Sequence, residues 1–194
     1  MDAMELISNL VNTEDNLIRG VEELNAAISH IVQLLEDSTT LYLNDSYATS
    51  AFLSITACEE IAKANIGAFT DGTNPSNGKK RNMFLDHKTK HKLVALPTIP
   101  MGTRLNDAVG EQNVRELMKM AQTGAFITLR ENALYFQREN NHLVIPKDKM
   151  SKNKSRSLLL FAIEAFDDAI VGYTNFSMEI SSHTDELFNK VRKA

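Results

Sequence analysis

Leu17, Val21, Leu24, Ile28, Ile31 and Leu35 follow one another at intervals of 4, 3, 4, 3 and 4 residues. A helix turning about every 3.6 residues is the regular structure that lines such a set along one face. A stripe that long must be covered by another surface, so the chain is committed to packing helix against helix or sheet. Thr13 reads as the N-cap, with Glu14 and Asp15 placed to favour the positive helix end. The helix is predicted to reach about Leu43, where Asn44-Asp45-Ser46 reads as a turn and a new cap.

The same period returns three more times. Tyr47 to Phe69 is predicted helical, with Ala48, Phe52, Ile55, Ala62 and Ile66 on one side. Asp71 to Gly78 is dense in turn formers and reads as an exposed loop. A short helix is expected around Met83–Leu93, then an irregular stretch marked by Pro97, Pro100 and Gly102 and extending to Gly110. A third long helix is predicted from Gln112 to Gln137, with Val114, Leu117, Met118, Ala121 and Ala125 on one face. Its second half, Phe126 to Phe136, is apolar nearly all round, which predicts deep burial. Residues 138–146 suggest a turn with a short extended piece, a small hairpin. The last helix is predicted from Asn153 to Lys190, with Leu159, Ile163, Phe166, Ile170, Tyr173, Phe176 and Ile180 in register. With only 4 Pro and 8 Gly to interrupt these runs, the fold class is all-α. The expected form is an antiparallel bundle of four long helices plus a short one, in a single domain over 1–194.

No stretch of 18 apolar residues suggests a transmembrane helix. Met1 to Glu5 lacks a basic segment leading into a hydrophobic run, so no signal peptide and no membrane partner are expected. The one cysteine, Cys58, lies in an apolar stretch and reads as a small core residue. These features favour the cytoplasm. A net charge of −4 argues against a general coat for duplex DNA. It still leaves room for a local basic patch, which Lys79, Lys80, Arg81, Lys88, Lys90 and Lys92 supply within 14 residues.

Charged residues on the apolar stripes are more informative. At 100° per residue, Glu59 falls inside the arc of Phe52, Ile55, Ala62 and Ile66, with Glu60 at its edge and Lys63 one turn on. A carboxylate there needs a partner, because burying it alone costs several kcal/mol. Lys63, four residues along from Glu59, could be part of that partner. Arg130 is embedded among Phe126, Ile127, Leu129, Ala133 and Leu134, and a guanidinium cannot shed its charge to enter a core. An Arg130–Glu59 or Arg130–Glu60 pair would solve both problems, either as plain glue between helices or as part of a site.

Asp86 to Lys92 places His87 and His91 four residues apart among lysines. That spacing suits zinc, but the interleaved lysines would repel a dication and no third ligand is evident, so no metal or other cofactor is expected. Histidine beside lysine is better suited to holding phosphate or moving protons; a solvated basic turn is the alternative. Arg81 and His87 form Arg-x5-His, in which arginine could stabilise charge on a scissile phosphate while histidine works on a ribose hydroxyl. Arg138 and His142 are a poorer match in a turn. Tyr135, next to the Arg130 segment, is either core or a hydroxyl donor.

Ser50 to Lys63, with Ala57-x-Glu59-Glu60-x-x-Lys63, is followed by His87-x-x-Lys90 and then Arg130-x-x-Ala133-Leu134-Tyr135. That ordered set, across roughly residues 20–170, resembles the AbiV family of bacterial abortive infection proteins. The resemblance implies a HEPN-like helical domain of antiphage defence that forms a homodimer and that a phage protein could trigger. It further implies that Glu59, Glu60, Lys63, His87, Lys90, Arg130 and Tyr135 fit the family pattern. Many relatives are metal-independent ribonucleases with Arg-x4-6-His, matched here by Arg81 and His87.

The leading expectation is therefore an abortive-infection effector that arrests host growth or translation, as a metal-independent endoribonuclease or a binder of RNA. His87 would be general acid and base, Arg81 or Lys90 would hold phosphate, and Glu59, Glu60, Lys63 and Arg130 would position them. Lys79, Lys80, Lys88 and Lys92 would add RNA contacts. The competing expectation is a non-catalytic effector that blocks translation by occupying a phage or host protein. A helical binding module outside defence, its charges purely structural, is the third.

Overall fold

In the computed structural model, residues 18–67, 91 and 103–194 are described. They form helices α1 (Gly20–Leu43), α2 (Tyr47–Gly67), α3 (Thr103–Val109), α4 (Glu111–Thr123) and α5 (Ala125–Leu134). Strands β1 (Gln137–Glu139) and β2 (His142–Val144) come next, then helices α6 (Pro146–Lys149), α7 (Lys152–Ile170) and α8 (Asn175–Lys193). The class is all-α, as expected. The four long helices are α1, α2, α7 and α8, and this set differs from the predicted one.

The α1 stripe does what its spacing demands: Leu24, Ile28, Ile31 and Leu35 are buried. The helix starts at Gly20 rather than after Thr13, because Ile18 and Arg19 are not helical; Thr13, Glu14, Asp15 and Leu17 lie outside the described residues. In place of a side-chain cap, the Glu23 carboxylate accepts from the Arg19 N–H at 2.6 Å. A three-residue turn returns the chain along α2, making an antiparallel pair. Small residues let the two helices approach closely. Ser38 of α1 donates to the Ser50 carbonyl at 2.9 Å and shares a hydrogen bond of 2.9 Å with the Ser54 hydroxyl, all three being fully buried.

Helix α2 is buried on several faces, since α1, α5 and α7 all pack on it. Its central partner α7 is buried continuously from Leu158 to Phe166. Cys58 belongs to this core, where burial pushes its thiol pKa up; a thiol held protonated is a packing group.

Two predicted helices are broken by glycine. The helix expected over 112–137 ends at Gly124, whose φ of 80° takes the left-handed conformation that stops one helix before α5 begins. The deep burial expected over 126–136 also fails: Phe126, Leu129 and Ala133 are buried, but Leu134, Tyr135 and Phe136 are exposed. Helix α5 is covered on the side facing α2 and open beyond it. The helix expected over 153–190 is two helices separated by residues 171–174. Gly172 has φ 96°, and Thr174 caps α8 by accepting from the Ser177 N–H at 3.0 Å while Ser177 accepts from the Thr174 N–H. The stretch read as irregular up to Gly110 contains α3, held by buried Leu105 and by Arg104. The hairpin is present, with Asn140 and Asn141 at φ 47° and 65° forming its turn. The loop read at 71–78 and the bend at Pro97–Gly102 lie outside the described residues, as does the short helix around 83–93 apart from helical His91.

Candidate functional site

The anomaly that the stripes revealed is resolved by an ion pair across α2 and α5. Glu59 is 3% exposed, and Arg130 brings Nη1 to 3.2 Å from each of its carboxylate oxygens. A second partner comes from elsewhere in the chain: His91 Nε2 lies 2.9 Å from Glu59 Oε1. A carboxylate only accepts, so Nε2 carries the proton. The imidazole is fully buried, and its edge meets Phe126 with ring centroids 5.3 Å apart. Phe126 in turn meets Phe161 at 5.9 Å. Aromatic rings thus back the imidazole that meets this buried carboxylate, and low polarity strengthens the pairing. Among the described residues, His91 Nδ1 is one of few buried side-chain atoms lacking a hydrogen bond.

The acidic pair does not act together. One helical step of 100° turns Glu60 away from Glu59, and Lys63 Nζ lies 2.5 Å from Glu60 Oε1. Lys63, expected to help neutralise Glu59, pairs with its neighbour instead. Glu60 and Lys63 border a cavity of about 190 Å³ with Ile18, His30 and Ile31, separate from the Arg130 centre.

Arg130 connects the buried carboxylate to the surface. Its side chain is 25% exposed and lines a pocket of about 300 Å³ with Phe52, Glu131, Leu134 and Tyr135. Tyr135 caps α5 in an extended conformation and is 61% exposed, so it is a surface ring and not a core residue. The poorer arginine–histidine match forms no site: Arg138 donates to the Asn141 carbonyl at 3.0 Å, within the hairpin.

Of the residues singled out from sequence, the fold brings Glu59 and Arg130 together and sets Tyr135 at the mouth. Arg81, His87 and Lys90 lie outside the described residues, as do Lys79, Lys80, Lys88 and Lys92. His91 was passed over as a site residue. Its only sequence signal was the four-residue spacing from His87, which does not say whether the His91 imidazole turns inward.

Sequence reasoning also missed a second polar centre. Arg104 of α3 pairs with Glu164 and Asp167 of α7 and Asp185 of α8, with its guanidinium 4.4 Å from the centre of the Phe188 ring. Thr184 donates to Asp167 at 2.9 Å. Burial pushes the Asp167 pKa up to about 6 against the pull of Arg104. Burial, then repulsion from Glu164 and Asp167, brings Asp168 to about 6 as well. The available signal was three carboxylates at positions 164, 167 and 168 in the otherwise apolar run from Leu158 to Ile170. Arg104 pairs with the first two of them and ties α3 to the bundle. Among the described residues, no group of three or more His, Cys, Asp or Glu is arranged to hold a metal ion. No described helix is long and apolar enough to cross a membrane.

Comparison with known proteins gives one family match: the model HEPN_AbiV, described as AbiV, covers residues 21–165. No curated protein and no solved structure matches.

Proposed function

This chain belongs to the AbiV family of HEPN-like helical proteins, and from that premise we propose that it is an antiphage effector that halts host growth by acting on RNA of the translation apparatus. Family membership suggests the coarser role, abortive infection in antiphage defence. The observation that carries the finer reading is the Glu59–Arg130 pair opening onto a surface pocket. A guanidinium anchored by a buried carboxylate keeps its orientation without further ordering, as a group meeting a phosphate should.

Cleavage would need no metal. His87 takes the proton from a ribose 2′-hydroxyl, and that oxygen attacks the adjacent phosphorus. The bond from phosphorus to the 5′-oxygen breaks, and the leaving oxygen receives a proton, giving a 2′,3′-cyclic phosphate and a 5′-hydroxyl. Arg130, with Arg81 or Lys90, stabilises the charge developing on the phosphate. Lys79, Lys80, Lys88 and Lys92 add contacts along the strand. His91 is too buried to reach a ribose; it acts through Glu59 as a positioning residue. A homodimer in the cytoplasm with a phage protein as trigger completes this reading.

Induced expression with and without phage, followed by inspection of total RNA, tests it. Growth arrest should come with discrete RNA fragments, survive EDTA in a purified reaction, and disappear in His87→Ala. Full toxicity and full cleavage in His87→Ala would remove His87 from the mechanism.

One observation favours a second reading. Leu134, Tyr135, Phe136 and Leu143 are all exposed, with Phe136 at 72%, and such surface suits a protein partner. An effector acting by occupancy would arrest growth with RNA intact. It would lose activity on Phe136→Ser with Leu143→Ser and keep it in His87→Ala.

A further inference from the structure

The pocket beside Arg130 has a chemistry narrower than RNA in general. Its walls come from α2 through Phe52, from α5 through Arg130, Glu131 and Leu134, and from Tyr135 just beyond that helix. A volume of about 300 Å³ is at the small end for ligand pockets and far too small for a double helix. Three chemistries meet in it. Tyr135 presents an aromatic ring in solvent, and Phe52 adds apolar wall. Arg130 brings a cation whose direction is set by Glu59, 3.2 Å away. Glu131 brings acceptors and a negative charge.

We infer that this pocket takes one unpaired nucleotide of a single-stranded RNA, with the base against the Tyr135 ring and the phosphate at Arg130. The inference rests on the RNA reading above and names the form of RNA it requires. A base inside a duplex has both faces covered by its neighbours and offers none to Tyr135, whereas an unpaired base can stack on an exposed ring. Glu131 suits this arrangement. Its carboxylate accepts from a base amino group or a 2′-hydroxyl and repels a second phosphate. The site therefore fits a single nucleotide better than a dense polyanion, in keeping with a chain of net charge −4. Tyr135 is 61% exposed, so replacing it leaves the core untouched.

The full chain carrying His87→Ala, which on the reading above binds the strand without cutting it, would be titrated against a labelled ten-nucleotide single-stranded RNA, the same sequence as a duplex, and adenosine 5′-monophosphate as competitor. The strand should bind at least tenfold more tightly than the duplex. Tyr135→Ala should weaken strand binding roughly 5- to 100-fold, while Tyr135→Phe, which keeps the ring, should stay within about twofold. The mononucleotide, which offers the same base and phosphate but none of the contacts to neighbouring nucleotides, should compete better than inorganic phosphate, and only in large excess over the strand. Equal affinity for strand and duplex, unchanged by Tyr135→Ala, would overturn this inference and leave the RNA reading standing. No binding of RNA in either form would overturn both. Displacement of the strand by equimolar mononucleotide would make the occupant a free nucleotide, against the inference. Loss of growth arrest in Tyr135→Ala with strand affinity unchanged would also count against it, and would assign Tyr135 to a protein contact.

Discussion

Replacing Glu59 by Gln removes one charge from the centre of the molecule while keeping its shape, and the geometry sets what that should cost. Unit charges about 4 Å apart interact by about 4 kcal/mol at the effective dielectric constant, about 20, of a partly buried site. Arg130 Nη1 is 3.2 Å from both Glu59 oxygens, which puts the pair in that range. Arg130 is 25% exposed and can turn toward water once the carboxylate is gone, and the glutamine carbonyl can still accept from His91. Those compensations return about half, leaving a loss of about 2 kcal/mol. Arg130→Met should cost more, about 3–5 kcal/mol, because it takes a cation away from a carboxylate only 4% exposed. Glu59→Gln with Arg130→Met should cost about 2 kcal/mol less than the sum of the two. Urea unfolding at pH 7 reads all three; with a slope of about 2 kcal/mol per molar, each 2 kcal/mol moves the midpoint by about 1 M. If the two losses add to within about 0.5 kcal/mol, the groups are not coupled and the centre as described is wrong.

Asp168 gives a pH-dependent prediction. Its pKa is about 6 in the fold against an ordinary 3.8, so between those values the folded chain holds more protons than the unfolded one. Stability from this group therefore falls as pH rises from about 4 to 6 and is level above. Two units correspond to about 3 kcal/mol, which partial exposure reduces to about 1. Asp168→Asn should match the parent near pH 4 and exceed it by about 1 kcal/mol at pH 8; an offset that ignores pH would refute the assignment. Arg104→Gln should destabilise the chain by about 2–3 kcal/mol at pH 8, since it strips the cation from Glu164, Asp167 and Asp185. That loss should shrink at pH 5, below the value of about 6 at Asp167; equal loss at both pH values would show that the carboxylates are not the cause. Gly172→Ala places a side chain at φ 96° with nothing within 4 Å of the new Cβ. Backbone strain alone should then cost about 1–2 kcal/mol, visible as a lower melting temperature; no change in melting would show that the corner relaxes.

Much of this was legible in the chain itself. Helical class, the α1 and α2 boundaries near residue 45, the hairpin at 138–146 and the need of Glu59 and Arg130 for each other follow from local rules. Periodicity, turn chemistry and the cost of burying charge act over a few residues and hold in any fold that buries those stripes. The glycine breaks were less legible, because the apolar register runs on through Gly124 and Gly172. At Gly124 the helix stops by virtue of a left-handed φ, and at Gly172 a positive φ follows the extended Val171 where α7 ends; glycine permits such a conformation without requiring it.

What only the tertiary structure decided is which distant groups meet. Sequence offered Glu59 two basic partners, Lys63 and Arg130; packing of α5 on α2 chose the second and left Lys63 to Glu60. It offered two histidines four residues apart, and the fold buried His91 against Glu59. Arg104 was one more residue of an irregular stretch until three carboxylates from α7 and α8 surrounded it. A partner far along the chain depends on how whole helices cross and turn, and neither quantity is encoded within the few residues over which sequence patterns can be read.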